Sequence, residues 1–195
     1  MSRPRIYAIR VQPEFDGFIP PPASGLDADL FNAPDLIQPV VGFRKWLLVG
    51  DELLSPLART SWGAAPMRAR CMPRPSGVGR NWHKVPPHAG PAPDPDCACG
   101  LYALFAPHRL WGPQGPGLVP GAVVLWGRIE VHDGGMRAKC ARIVALALPS
   151  FYSPSGKAAV RRVAERLGVE AVPARQLQAA AQRHGRPLPA ALLPA

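Results

Sequence analysis

The sequence predicts an α+β fold: a compact, mostly antiparallel β-barrel or strongly bent sheet from about 40 to 149, with one pinned loop and helices at the C-terminal end. Three observations carry that expectation. A hairpin pattern fills 121–148, where GAVVLWGRIEVH and MRAKCARIVALAL flank Asp133-Gly134-Gly135, glycines that can supply positive φ at a turn. The 26 prolines and 19 glycines among 195 residues imply many turns and irregular connections rather than a helical bundle. Apolar residues at convincing helical spacing appear only in the tail.

Taken in order, three regions emerge. Residues 1–39 are an acidic, Pro-rich leader: RIYAIRV (5–11) is strand-like, FIPPPASG (18–25) cannot donate a regular ladder, and 26–36 suits a helical turn ended by Pro34. The leader is expected to wrap over the surface. Residues 40–149 are a β-rich core domain with a Cys/His loop. VVGFRKWLLVG (40–50) is β-branched and aromatic and stops at Gly50-Asp51, ELLSPL adds a short strand, and GLYALFA (100–106) reads as a strand or a helix start. Residues 150–195 are a helical segment. Val160, Val163, Ala164 and Leu167 fall on one stripe, Ser153 or Ser155 can cap the start, and Gly168 can close the end. A second helix is expected from Pro173 to about His184, and the remaining RPLPAALLPA is expected to be loosely held. The same tail can be spaced as a helix-turn-helix, although Pro173 falls where the recognition helix should begin.

The formal charge is +10, spread unevenly: −2 over 1–39, +7 over 40–150 and +5 over 151–195. A basic body and tail suit a polyanion, of which nucleic acid is the commonest. Trp82 and Trp111 lie in Pro/Gly loops beside basic residues and are the candidate stacking platform, whereas Trp46 and Trp126 sit within strands and are assigned to the core. The candidate contact set is Arg80, Trp82, Arg109, Trp111, Arg128 and Arg137, with Lys139 from the hairpin and Arg161 and Arg162 from the first tail helix. No segment approaches the roughly 18 apolar residues of a membrane span, and the first residues lack the apolar run of a signal peptide, so no membrane partner and a cytoplasmic location are expected.

The stretch 64–96 is Pro, Gly, Arg and His with almost no apolar periodicity, and so long a loop is uncommon in a compact domain unless something pins it. Cys71, His83, His88, Cys97 and Cys99 fall within or just after it. Thiolates and an imidazole are the donors that zinc takes in a tetrahedron. The expected set is Cys71, His88, Cys97 and Cys99, with His83 as the alternative fourth ligand and Cys140, otherwise a core thiol, in reserve. Cys-x-Cys is tighter than the usual zinc pair, and Gly100 immediately after it can permit the backbone this needs. A redox pair at Cys97 and Cys99 is the weaker reading, since Cys-x-x-Cys is the usual spacing and no βαβ pattern surrounds it. A zinc deaminase is excluded: its His-x-Glu is missing, and no Glu occurs anywhere from 53 to 129. No phosphate-cradling loop, His-Glu-x-x-His or Gly-x-Ser-x-Gly is present.

Four elements in order resemble a family of uncharacterised bacterial proteins: Val41-Gly-Phe-Arg-Lys-Trp46; Cys71 followed by a His- and Pro-containing loop; Cys97-Ala-Cys-Gly-Leu-Tyr-Ala103; and Gly121-Ala-Val-Val-Leu-Trp-Gly-Arg128 with His132-Asp-Gly-Gly-Met-Arg-Ala138. The resemblance covers about 40–149 and implies that the Cys and His positions are metal ligands; it supplies no catalytic role. Where such proteins keep one histidine before the Cys pair, this chain offers His83 and His88.

Three functions follow in order of preference. The first is a zinc-stabilised, non-enzymatic module that binds nucleic acid or another polyanion through a basic face. The second is a protein-interaction or adaptor module that docks a partner through the leader or exposed tryptophans. The third is a zinc-dependent hydrolase-type enzyme, which requires an open metal position and a general base that the sequence does not display near the ligands.

Overall fold

The structure, a computed structural model, describes residues 5–9, 38–71, 74–76, 83–85, 87–111 and 117–193; for 5–9, 74–76 and 83–85 the backbone is described. The strands are β1 (Arg5–Ile9), β2 (Val40–Val49), β3 (Glu52–Leu54), β4 (Ser61–Trp62), β5 (Met67–Arg68), β6 (Arg74–Ser76), β7 (His83–Val85), β8 (Leu101–Leu104), β9 (Leu118–His132), β10 (Gly135–Leu148) and β11 (Glu170–Pro173). The helices are α1 (Pro154–Leu167) and α2 (Leu177–Gln182), with 3-10 turns at Pro107–Trp111, Ala174–Gln176 and Ala190–Leu192.

The hairpin β9–β10 is the spine. One edge of β9 carries β2 along Leu118–Leu125 and then β1 along Gly127–Val131. The outer edge of β10 is shared by three short strands: β8 at Gly135–Ala138, β5 at Cys140–Ala141 and β11, in parallel, at Ala145–Leu148. The sheet bends far enough for β2 and β8 to meet at the single pair Phe43↔Leu104. Of the two expected forms it takes the bent sheet and not the closed barrel. Three short strands share the edge of β10, β11 runs parallel, and β3 and β4 continue outward from β2, so the result is a bent mixed sheet. β6 and β7 form a separate two-stranded ladder inside the stretch expected to be irregular.

Alternation along the spine sorts its side chains into two apolar layers. Val123, Leu125, Ile129 and Val131 of β9 face the first layer, with Met136, Ala138, Ala141 and Ile143 of β10. Ala122 and Val124 face the second, and Trp126 packs against it. Helix α1 covers the first layer through Val160, Val163, Ala164 and Leu167, the stripe its sequence predicts. Its caps are also those expected: Ser153 Oγ accepts from the Gly156 N–H at 3.1 Å, and Gly168 turns the chain at φ 66°. Helix α2 covers the second layer through Leu177, Ala180 and Ala181.

Four expectations fail here for local reasons. The turn is two residues, Asp133–Gly134, because Gly135 already pairs with His132, and neither glycine takes positive φ. A Cβ on Gly135 would collide with the Ala103 carbonyl of β8, so this glycine serves strand approach rather than turning. The second tail helix begins later than expected, since Glu170–Pro173 pair with β10 before the chain coils; that strand also removes the helix-turn-helix reading. The end is held as well: Arg186 exchanges backbone bonds with Pro39 and Val41, and Leu188 is buried. Of the leader, β1 and residues 38–39 lie within the described residues; the expected turn at 26–36 lies outside them. No helix among the described residues is long and apolar enough to cross a membrane.

Candidate metal centre

The centre is built on the first half of β10. Strand β5 pairs with Cys140 and Ala141, and the Ala69 N–H donates to the Lys139 carbonyl at 2.7 Å, which delivers Cys71. Strand β8 pairs with Gly135–Ala138 and delivers Cys97 and Cys99 from the loop just before it. That loop is shaped by its aspartate: Asp94 Oδ1 accepts from the Asp96 N–H at 3.0 Å, and the Asp94 carbonyl accepts from the Cys97 N–H at 3.0 Å. Gly100 then turns at φ 130°, where a Cβ would stand 3.0 Å from that of Arg137 and 3.2 Å from that of Pro93. Tyr102 ties the loop back by donating its hydroxyl to the Ala98 carbonyl at 2.7 Å.

Cys71, His88, Cys97 and Cys99 converge: one ligand atom from each lies within 4.8 Å of all the others, and together they can hold a metal ion. The Cys71 and Cys97 sulfurs are 3.7 Å apart and His88 Nε2 is 3.2 Å from the Cys99 sulfur. The first spacing matches a tetrahedron edge of roughly 3.8 Å between two thiolates each about 2.3 Å from one ion. No disulfide joins the four cysteines of the chain. With Nε2 turned inward, His88 Nδ1 is buried without a hydrogen-bond partner among the described residues. The Cys99 thiol is pushed up to about 11, first by loss of water and then by the neighbouring Cys97 and Cys71 sulfurs, against the lowering effect of a backbone bond at Asp94. Crowded sulfurs resist ionising together, and a cation at their centre removes that resistance. The donor set therefore fits a metal. His88 fills the fourth place and Cys140 stands apart, its thiol raised by burial. Of His83 the backbone alone is described, in β7.

Behind the ligands lies a buried ion pair that sequence reasoning missed. Arg137 is 3% exposed and Glu130 0%. Arg137 Nε donates to Glu130 Oε2 at 2.7 Å, and its terminal nitrogens donate to the carbonyls of Cys97, Cys99 (3.1 Å) and Asp94 (2.9 Å). One guanidinium thus clamps the backbone of three loop residues while a buried carboxylate neutralises it. Burial alone would lower the Arg137 pKa, but Glu130 holds it above the ordinary value. Expected on a solvent-facing basic surface, Arg137 is instead interior. His132 lies 3.9 Å from the same carboxylate; desolvation and Arg137 hold its pKa below the usual imidazole value.

The remaining predicted contact residues divide. Arg109, Arg161 and Arg162 are exposed, Arg162 lying 3.6 Å from Asp51; Trp111 is partly buried against the second layer; Arg80 and Trp82 lie outside the described residues. Arg128 and Lys139 remain partly exposed and meet at a bulge, where Gly127 (φ 78°) lets the Lys139 side chain lie alongside. Two further cations join them on the second-layer side. Arg68 pairs with Cys140, which pairs with Trp126, and Arg142 pairs with Val124. Arg68, Arg128, Lys139 and Arg142 therefore share one sheet face with the partly buried Trp126, beside the metal loop. The signal for Arg68 was its position two residues before Arg70 and three before Cys71; without the β5–β10 register it had no face to belong to.

Compared with protein-family models, with curated proteins and with solved structures, the chain matches none.

Proposed function

We propose that the chain is a zinc-stabilised, non-enzymatic binding module that contacts nucleic acid or another polyanion through the sheet face bearing Arg68, Arg128, Lys139 and Arg142. The observation that carries this reading is that four cations and Trp126 share that face, while its central carboxylate, Glu130, is buried and neutralised by Arg137. The face presents positive charge without an exposed acid among these residues, which suits phosphates, and an indole beside cations suits a base. Zinc is the ion that three thiolates and an imidazole favour, and it has no geometric preference to satisfy beyond the tetrahedron. Four protein donors leave no place for a reactive water, so the metal's role is to fix the loop that ends at Cys71 and thereby the strand carrying Arg68. The net charge of +10 supports the same reading.

Metal analysis and binding titrations test it together. The reading requires one zinc per chain, lost in Cys97→Ser, and oligonucleotide affinity that falls steeply with salt. Arg128→Gln and Lys139→Gln should each weaken binding uniformly across sequences and reduce the logarithmic salt slope by about 1. Absent or salt-insensitive binding by the zinc-loaded protein rejects it.

A further inference from the structure

On the other side of the sheet, Arg44 poses a separate problem. Strand β2 alternates Val40, Gly42, Arg44 and Trp46 toward the first apolar layer; Val40 and Trp46 belong to that layer, and a Cβ on Gly42 would meet Ala103, Leu125 and Met136. A guanidinium thus projects where a core residue is expected. Its carbon lies 4.2 Å from the centroid of Trp62 and 5.4 Å from that of Trp46, and the two indoles meet edge to face at 5.6 Å. The surrounding polar atoms do not balance. Trp62 Nε1 donates to Ser55 Oγ at 2.9 Å, and Arg44 reaches the same oxygen only at 3.4 Å. Arg44 Nε and Trp46 Nε1 are both buried with no partner, and no carboxylate pairs with Arg44 among the described residues. Desolvation lowers the Arg44 pKa to about 10, as expected for a charge with no counter-charge among the described residues.

Two N–H groups, from Trp62 and Arg44, therefore share a single neutral oxygen, Arg44 Nε and Trp46 Nε1 have no acceptor among the described residues, and a positive charge sits against two indole rings. Cation–π attraction offsets part of the desolvation but accepts none of the hydrogen bonds. A water could accept one bond, yet it brings protons of its own and no charge. What completes the set is an acceptor with negative charge and more than one oxygen.

We propose that Arg44, Trp46, Ser55 and Trp62 form a binding site for a small oxyanion, a carboxylate or a phosphate, on the face opposite the basic strip. The guanidinium supplies the charge and a two-pronged edge, the Trp46 indole a further donor, and the two rings a wall that excludes water. The site stands or falls independently of polyanion binding by the strip.

The test is a titration of the zinc-loaded, 15N-labelled protein at constant ionic strength, first with inorganic phosphate and then with acetate, following the indole N–H signals. A saturable shift of the Trp46 signal is expected, with a parallel rise in melting temperature. Phosphate alone acting assigns a phosphate site, acetate alone a carboxylate site. Arg44→Lys, which keeps the charge but not the fork, should bind at least about tenfold more weakly. Arg44→Gln should abolish the shift, and Arg175→Gln, on the exposed turn before α2, should preserve it. No saturable shift with either anion in the wild type overturns the proposal, as does an equal shift in a folded Arg44→Gln protein. Should Arg44→Gln not fold, the wild-type titration and Arg44→Lys still decide.

Discussion

The two ends of β10 are held by opposite means. Its second half, Val144–Leu148, is bounded by α1, α2 and β11, and its neighbours are Leu177, Ala180 and Val172, all apolar and buried. Its first half, Gly135–Ala141, is edged by the short strands β8 and β5, and what holds the loops that lead into and out of them is a clamp of hydrogen bonds from one arginine and a convergence of sulfur and nitrogen donors. Apolar burial needs contiguous side chains at a regular period, which the tail supplies and the 64–96 stretch does not. Where that period is missing, directional bonds replace it. One strand thus carries an end that stands by packing and an end that stands by chemistry.

Removing the proposed metal should separate the ends most sharply. Chelation, or Cys97→Ser, is expected to cost more than about 5 kcal/mol, since structural zinc contributes roughly 10–16 kcal/mol in isolated zinc-finger peptides. Amide exchange should accelerate at 97–104 and at 67–71 while α1 and β11 retain protection; equal loss at both ends would break the distinction. Next in size is Arg137→Met, which strands Glu130 as a buried, unpaired charge and should destabilise by about 3–5 kcal/mol in urea unfolding. The double variant with Glu130→Gln should recover part of that loss yet still bind zinc more weakly in chelator competition, because the loop carbonyls have lost their donor. Leu177→Ala attacks the other end: a fully buried side chain is truncated, at a cost of about 3 kcal/mol, with zinc stoichiometry unchanged.

The smallest effect concerns pH. Desolvation, with Arg142 and Arg183 nearby, holds His184 below the usual imidazole pKa despite Glu170. The unfolded chain therefore takes up the proton first, so the stability linked to this group is present above about pH 6.5 and is lost as pH falls through the depressed native value. His184→Gln should flatten that part of the stability profile slightly. A profile unchanged by the substitution would remove His184 from the account.

Strand β2, the long hairpin and α1 with both caps were legible because each rests on a local period and local end signals. Register was less so. With a three-residue turn at 133–135, Glu130 falls opposite Ala138; with the observed two-residue turn it falls opposite Arg137, and that one-residue difference creates the buried pair. Strand β11 escaped because four residues ending in proline offer no period, and they join β10 only through the crossover of α1. The clustering of Cys71, His88, Cys97 and Cys99 was readable from residue type and crowding alone. The clamp was not, since Arg137 and Cys97 are 40 positions apart and nothing in either neighbourhood names the other. The setting of Arg44 between two indoles was not legible either, because a strand pattern does not say which face an arginine must share with its neighbours.

The spine also sets an order in time. Cys71, His88, Cys97 and Cys99 all precede Gly135–Ala141, the segment that holds their two loops side by side. A ribosome adding about 5–20 residues each second needs roughly 2–8 s to travel from Cys99 to the end of that segment. Throughout that interval every candidate ligand has been made and none has its scaffold. The nascent chain is then a bearer of three unprotected thiols, open to oxidants and to the wrong metal, and the completion of one β-strand ends that exposure.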